Sequence, residues 1–264
     1  MRTTLYHVDA FTARPFAGNP AAVCPLNGWL DDDFLLKVAA ENNLSETAFF
    51  VPCGKDYELR WFTPRCEVEL CGHATLASAF VVLNLLRPEL DTVRFETRHS
   101  GMLTVRKDGE LFSMDFPSIF PKPCPNPPDD LMRALGSGSP PLEVVEANQT
   151  YIEVHDSERA IRSIRPDFGR LEELHPFTVG LTAAGDQVDF VSRYFAPSYG
   201  VPEDPVTGSM YCSLTPYWTK RLGKKQLRAR QVSERGGEIW CEAVGERVIL
   251  KGAAVLTLKG SLLV

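Results

Sequence analysis

Glu46 is the carboxylate whose surroundings are least ordinary. In Leu44-Ser45-Glu46-Thr47-Ala48-Phe49-Phe50-Val51, strand alternation sets it on the same face as Ala48 and Phe50. If that face points inward, desolvation disfavours the charged form and raises its pKa. Such a carboxyl can take up and return protons near neutral pH; a strand-edge glutamate reaching solvent fits the same residues. His73 follows Gly72 at the head of an apolar stretch, where a helix N-terminus opposes a protonated imidazole and leaves a neutral ring able to donate or accept; a capping or packed histidine is the alternative. Asp204, in Glu203-Asp204-Pro205, could hold a substrate amine or hydroxyl, or simply open a turn, as Asp-Pro often does. Cys71 stands where thiolate is favoured, although buried cysteine is common and the comparable place further on holds Pro205.

Two glycines share a setting. Gly72, in Leu70-Cys71-Gly72-His73-Ala74-Thr75, and Gly208, in Asp204-Pro205-Val206-Thr207-Gly208-Ser209, each precede an uncharged helix. The first-turn amides of such helices lack intrahelical partners and, with the helix dipole, favour a carboxylate or phosphate. Thr75 and Ser209 add hydroxyl donors. Either glycine alone is explained by a tight turn and either hydroxyl by capping; their repetition points to a site that grips an acidic small molecule. No GxGxxG, Walker loop, GxSxG elbow or HExxH is present, so chemistry without a cofactor is the expectation. The seven cysteines form no CxxC pair or Cys/His cluster at zinc spacing, which signals neither disulfides nor a metal and suits a reducing cytoplasm.

These groups need elements to hold them. The spacing predicts a strand over 4–11, a loop over 14–20, and a helix from Leu30 to Asn42 with Leu30, Phe34, Leu35 and Val38 as its stripe. Strands follow near 45–51 and 57–63, then a helix from Ala74 to Leu86 that ends before Pro88. A hairpin turns at Asp108-Gly109. Further strands are expected at 143–154, 177–182 and 188–195, then a helix after Gly208 and closing strands turning at Gly236-Gly237 and near Gly252. Hairpin-linked strands around isolated helices predict an α+β class.

Arg60-Trp61-Phe62-Thr63-Pro64 recurs as Arg193-Tyr194-Phe195-Ala196-Pro197, 133 residues later, and each copy leads to one of the two glycines. That is the mark of an internal duplication. Six prolines crowd 117–128, which stiffens a chain and removes strand donors. The expected division is therefore a first domain over 1–116, a linker over 117–130 and a second domain over 131–264, with the final strand at liberty to return to the first.

A chain of 264 residues with 44% hydrophobic and 23% charged residues has globular composition. The uncharged run from Ala74 to Leu86 is too short to span a bilayer. A formal charge of −6 provides no general attraction for nucleic acid or anionic lipid.

Together, Tyr6-His7-Val8-Asp9-Ala10-Phe11, Phe16-Ala17-Gly18-Asn19-Pro20, Ser45-Glu46-Thr47-Ala48, Leu70-Cys71-Gly72-His73-Ala74-Thr75 and Glu203-Asp204-Pro205-Val206-Thr207-Gly208-Ser209 resemble the phenazine-biosynthesis PhzF-like family, in order and along nearly the whole chain. The resemblance implies a diaminopimelate-epimerase-like fold: two similar domains, each a curved mixed sheet or barrel around a central helix, with the active site between them. It implies a cofactor-free isomerase in which Glu46 shuttles a proton between carbons, as in the isomerisation of a dihydro-hydroxyanthranilate, with His73 and Asp204 as polar partners. Asn19, Ser45, Gly72, Ala74, Thr75, Gly208 and Ser209 become the substrate-binding positions, and no metal is implied. The related epimerases use paired cysteines; this chain has Cys71 at the first place and none at the second. Family members are often homodimers. The expected reaction is proton movement on a small, cyclic or unsaturated carboxylate. A one-base epimerase using Cys71 and a non-enzymatic binding protein are the alternatives.

Overall fold

In the computed structural model, which describes residues 2–263, the chain divides into one unit of Met1–Asp115 with Leu250–Val264 and another of Phe116–Ile249. In the first unit, β1 (Arg2–Ala10) pairs antiparallel with β2 (Asn19–Pro25). The turn between them requires Gly18, whose φ is +65° and where a Cβ would lie 2.2 Å from the Ala10 carbonyl oxygen. Next comes α1 (Asp32–Asn42), with Asp32 and Asp33 in its electropositive first turn and left-handed Asn43 ending it. β3 (Glu46–Cys53) runs parallel to β2 and antiparallel to β4 (Asp56–Phe62), and β5 (Glu67–Val68) adds two residues at the end of β4. The second helix, α2, spans Gly72–Val81 and continues through one π turn, Val82–Leu86. β6 (Thr92–Thr97) then pairs parallel with β4 and antiparallel with β7 (Gly101–Asp108), which forms a hairpin with β8 (Leu111–Pro117) across left-handed Gly109.

The faces of this mixed sheet are covered differently. Leu35, Val38 and Ala39 of α1 pack with Cys24, Leu26, Phe49, Val51 and Phe62, whereas α2 contacts β1, β2 and β3. Every residue of α2 from His73 to Val81 except Phe80 is buried. A helix apolar on all sides needs protein on all sides, so α2 is the centre of the unit. Burying a leucine such as Leu76 contributes about 2 kcal/mol.

In the second unit, β9 (Lys122–Pro123) pairs with β10 (Glu143–Ala147). Between them lies α3 (Asp129–Leu135). β10 forms a hairpin with β11 (Thr150–Val154), and after α4 (Glu158–Ser163) and α5 (Phe168–Glu172) come β12 (Thr178–Ala184), parallel to β11, and β13 (Phe190–Phe195). The central helix α6 (Gly208–Leu222) precedes β14 (Gln226–Gln231), parallel to β13, and then β15 (Gly237–Val244) and β16 (Arg247–Gly252). Tyr211 and Trp218 of α6 bond to Ser192 and Thr182 of the sheet at 2.9 Å each. Leu131, Leu135, Ile161 and Leu171 of the small helices, with Ile164 just beyond α4, pack with Val179, Leu181, Val191 and Phe195. Pro216 lies inside α6 and cannot donate to the Cys212 carbonyl, four residues back; the Ile119 amide donates to that carbonyl instead, at 3.0 Å.

Within β16, at Leu250, the chain re-enters the first unit, and β17 (Ala254–Leu263) pairs antiparallel with β1 from Arg2↔Leu263 to Ala10↔Ala254. No helix among the described residues is long and apolar enough to cross a membrane.

The α+β class holds. Two expectations change. The proline-rich residues 117–130 form no separate linker: the Ile119 bond and the β9–β10 pairing make them part of the second unit. The single strand expected over 143–154 is a hairpin, because Asn148 and Gln149 take φ of +48° and +56°, the left-handed pair a two-residue turn requires. Helices α3, α4 and α5 were not foreseen.

The duplicated pentapeptide has a structural counterpart within each unit. Arg60 in β4 forms a fork with Glu67, both bonds 2.7 Å, and lies 4.9 Å over the Phe62 ring. Arg193 in β13 forks with Glu203 at 2.8 and 2.9 Å and lies 4.9 Å over Phe195. Planar bidentate pairing combined with ring stacking is particular to arginine. In each case the fork tethers the loop that leads to a central helix.

Candidate active site

Glu46 is the first residue of β3, and its side chain is 16% exposed. Strand alternation directs it, with Ala48 and Phe50, toward α2 rather than α1. There Glu46 Oε2 lies 3.2 Å from Nε2 of His73, the second residue of α2. The imidazole is buried, and burial pushes its pKa down to about 3; the helix N-terminus acts in the same direction. On its other side, Asn19 Nδ2 donates to His73 Nδ1 at 3.1 Å. With the amide so oriented, Nδ1 accepts and the single ring proton sits on Nε2, facing the glutamate. Asn19 is itself fully buried, set by its pairing with Ala10 and by the Gly18 turn.

Cys71 is the N-cap of α2. Its Sγ lies 3.4 Å from His73 Nδ1 and 4.0 Å from Nε2. Ligand atoms of Glu46, Cys71 and His73 thus fall within 4.8 Å of one another, a cluster that spacing along the chain does not reveal. A metal bound to imidazole sits on one nitrogen's lone-pair axis, and a sulfur close to both nitrogens is off both axes. Cys71 would have to turn before the three could share an ion.

Among the binding positions, Gly72 and Ala74 occupy the first turn of α2, whose amides have no helix carbonyl ahead of them. Ser45 lies at the bend entering β3, half-buried. Thr75 departs from expectation: its hydroxyl and its amide both donate to the Cys71 carbonyl, at 2.6 and 3.1 Å, and the residue is fully buried. Its donors serve the helix rather than a ligand, the usual fate of threonine one turn into a helix.

The second unit holds Asp204, Gly208 and Ser209. The Asp204 amide donates to the Tyr194 carbonyl at 2.9 Å, and its carboxylate accepts a short bond from the Thr207 hydroxyl. Gly208 is buried and Ser209 exposed in the first turn of α6. The sequence did not single out Gln231, which ends β14 fully buried. Its Nε2 donates to the Asp204 carbonyl at 2.7 Å while its Oε1 accepts the Thr207 amide at 2.9 Å. Nothing in the local sequence around Gln231 marks that role, since its partners lie 24 and 27 residues away.

Comparison with known proteins agrees with this architecture. The pattern of the family described as phenazine biosynthesis-like protein (PhzC-PhzF) matches residues 8–260. A protein of Pseudomonas aeruginosa named an uncharacterized isomerase is 51% identical, covering 99% of both chains. The crystal structure of a phenazine biosynthesis protein of the PhzF family from Enterococcus faecalis superposes with a TM-score of 0.94 at 45% identity, covering 100% of both chains. A hydroxyproline epimerase from Agrobacterium vitis shares the fold, with a TM-score of 0.63 at 10% identity over 99% of this chain and 92% of its own.

Proposed function

The chain belongs to the phenazine biosynthesis-like (PhzC-PhzF) family, and from that membership we propose that it is an isomerase that moves a proton on a small, cyclic or unsaturated carboxylate without a cofactor. The observation that carries this reading is the 3.2 Å approach of His73 Nε2 to Glu46 Oε2 by an imidazole that burial keeps neutral. A protonated imidazole would hold Glu46 as a carboxylate and weaken it as a base. A neutral one lies beside the carboxylate without neutralising it and leaves it basic.

In the proposed reaction, the Glu46 carboxylate takes a proton from an acidic carbon and becomes a carboxylic acid. The substrate's electron pair delocalises toward its own unsaturated system. The acid proton exchanges with solvent, and Glu46 then delivers a proton to a different carbon, so that a double bond has moved and nothing is gained or lost. The first-turn amides of α2 at Gly72 and Ala74 suit the carboxylate of such a substrate. We assign Asp204, Gly208 and Ser209 to substrate binding on the strength of the family motif, and Asn19 to fixing the His73 tautomer. A reducing compartment such as the cytoplasm suits seven free thiols.

The test is incubation of the protein in deuterium oxide with a panel of unsaturated ring carboxylates, a dihydro-hydroxyanthranilate among them, followed by NMR for label at carbon. Label incorporated by the wild type and lost in Glu46→Gln supports the reading. Label that persists in Glu46→Gln but disappears in Cys71→Ser would replace it with the one-base epimerase, which the sulfur's 3.4 Å approach to His73 makes the competing assignment.

A further inference from the structure

Asp204 is the first residue of a turn that has to bring the chain from Glu203 to the head of α6, and side chains of the second unit hold that turn at both ends. Before it, Glu203 is gripped by the fork from Arg193, whose Nη1 also donates to the carbonyls of Ile161 and Ile164 at 3.0 and 2.8 Å. Arg193 is 7% exposed, so this anchor is both charged and almost dry. After it, Ser233 Oγ donates to the Pro205 carbonyl at 2.8 Å. Across the turn itself stands Gln231, fully buried, with its amide nitrogen on the Asp204 carbonyl and its amide oxygen on the Thr207 N–H. The same nitrogen lies 3.3 Å from Thr207 Oγ1. An amide that donates to one end of a turn and accepts from the other fixes the distance between them, and no acid or hydrocarbon of that size does both. Thr207 in turn directs its hydroxyl to the Asp204 carboxylate.

We propose that Thr207 and Gln231 are positioning residues for Asp204: Gln231 closes the turn from Asp204 to Thr207, and the Thr207 hydroxyl then sets the direction of the Asp204 carboxylate. The proposal rests on the role assigned to Asp204 above. It extends the site to two side chains that touch no substrate and act through a third. Arg193 is the outer anchor of the same turn, and its sequence counterpart Arg60 anchors a loop of the first unit by the same chemistry.

The experiment uses the full-length protein with Thr207→Val, Thr207→Ser, Gln231→Met and Asp204→Asn. The Asp204 carboxyl is followed by carbon-13 NMR through a pH titration, assigned by its disappearance in Asp204→Asn, and turnover is measured on a dihydro-hydroxyanthranilate. A hydroxyl donating to a carboxylate favours its charged form, so Thr207→Val is expected to raise the Asp204 midpoint and Thr207→Ser to restore it. Misplacement of a polar partner acts on kcat more than on KM, and a loss of about tenfold or more in kcat is expected for Thr207→Val and Gln231→Met. Gln231→Met gives an independent route to the same displacement should Thr207→Val fold poorly.

An Asp204 midpoint that is the same in wild type, Thr207→Val and Gln231→Met overturns the proposal, and the titration needs no substrate to show it. Asp204→Asn losing turnover while Thr207→Val and Gln231→Met keep it overturns the positioning alone. Asp204→Asn with turnover intact removes Asp204 from the reaction and the positioning role with it. A raised midpoint with kcat lowered in Thr207→Val and recovered in Thr207→Ser supports it, because a purely structural threonine would not couple those two readings.

Discussion

His73 Nε2 stands 3.2 Å from Glu46 Oε2, yet the two are not an ion pair at neutral pH, because burial holds the imidazole pKa near 3. Its other nitrogen accepts from Asn19, so three elements, β2, β3 and α2, meet at one ring. The orientation of the glutamate therefore depends on the packing of the unit's central helix and not on a flexible loop.

Replacing Glu46 by Gln keeps the shape and removes the base. A positioned acid or base is worth about 100- to 10,000-fold, and the deuterium incorporation rate should fall by about that factor with little change in KM. Undiminished incorporation on a substrate the wild type turns over would refute the assignment.

Acidification tests the buried imidazole. Since the folded pKa of His73 lies below its ordinary value of 6.5, the unfolded chain binds the extra proton, and stability must decline as pH falls from about 6.5 toward 3. One such proton gives a slope of up to about 1.4 kcal/mol per pH unit. Urea unfolding at several pH values should show His73→Gln with a shallower decline than wild type; parallel profiles would count against a neutral buried ring.

The Arg193 fork is nearly dry, with side-chain exposures of 9% for Arg193 and 20% for Glu203. Removing one partner of such a pair strands the other and typically costs about 3–5 kcal/mol. Arg193→Met should lose that much in urea unfolding. A loss below about 1 kcal/mol would place the pair with ordinary surface ion pairs.

Gly18→Ala should reach the site through the backbone. The added Cβ would meet the Ala10 carbonyl oxygen at 2.2 Å in a left-handed conformation. Overpacking of about 1–3 kcal/mol and a left-handed penalty of about 1–2 kcal/mol are expected. Because Asn19 is the next residue, the His73 ring signals should shift in NMR; an unshifted ring with unchanged stability would falsify this coupling.

Much of the frame was legible in residue patterns because it is local. The left-handed turn at Gly109 and the apolar helix after Gly72 are properties of a few adjacent residues, and the approach of Glu46 to His73 follows once strand alternation and the central helix are in place. What escaped was either subtler or more distant. Asn148-Gln149 turns a hairpin without the glycine that usually announces one. Ser157 and Asp167 cap α4 and α5 by accepting from Ala160 and Arg170, signals present in the sequence but attached to helices of six and five residues. Thr75 looked like a ligand donor because its hydroxyl type fits. Its bond to the Cys71 carbonyl is a matter of rotamer. Gln231 was invisible because its role exists only after β14 has paired beside β13 and brought it to the turn.

The pairing of β17 with β1 has a consequence for how the chain is made. Residues 116–249 are contiguous and leave the ribosome before the strand at 254–263, so their unit has all its own segments in hand while β1 still waits for one neighbour. Until that strand emerges, β1 presents an unpaired edge, the kind of surface that invites mispairing during synthesis. A chain that stalls or is cut near residue 249 should therefore be a substrate for chaperones or proteases even though Glu46, Cys71 and His73 are already present in it.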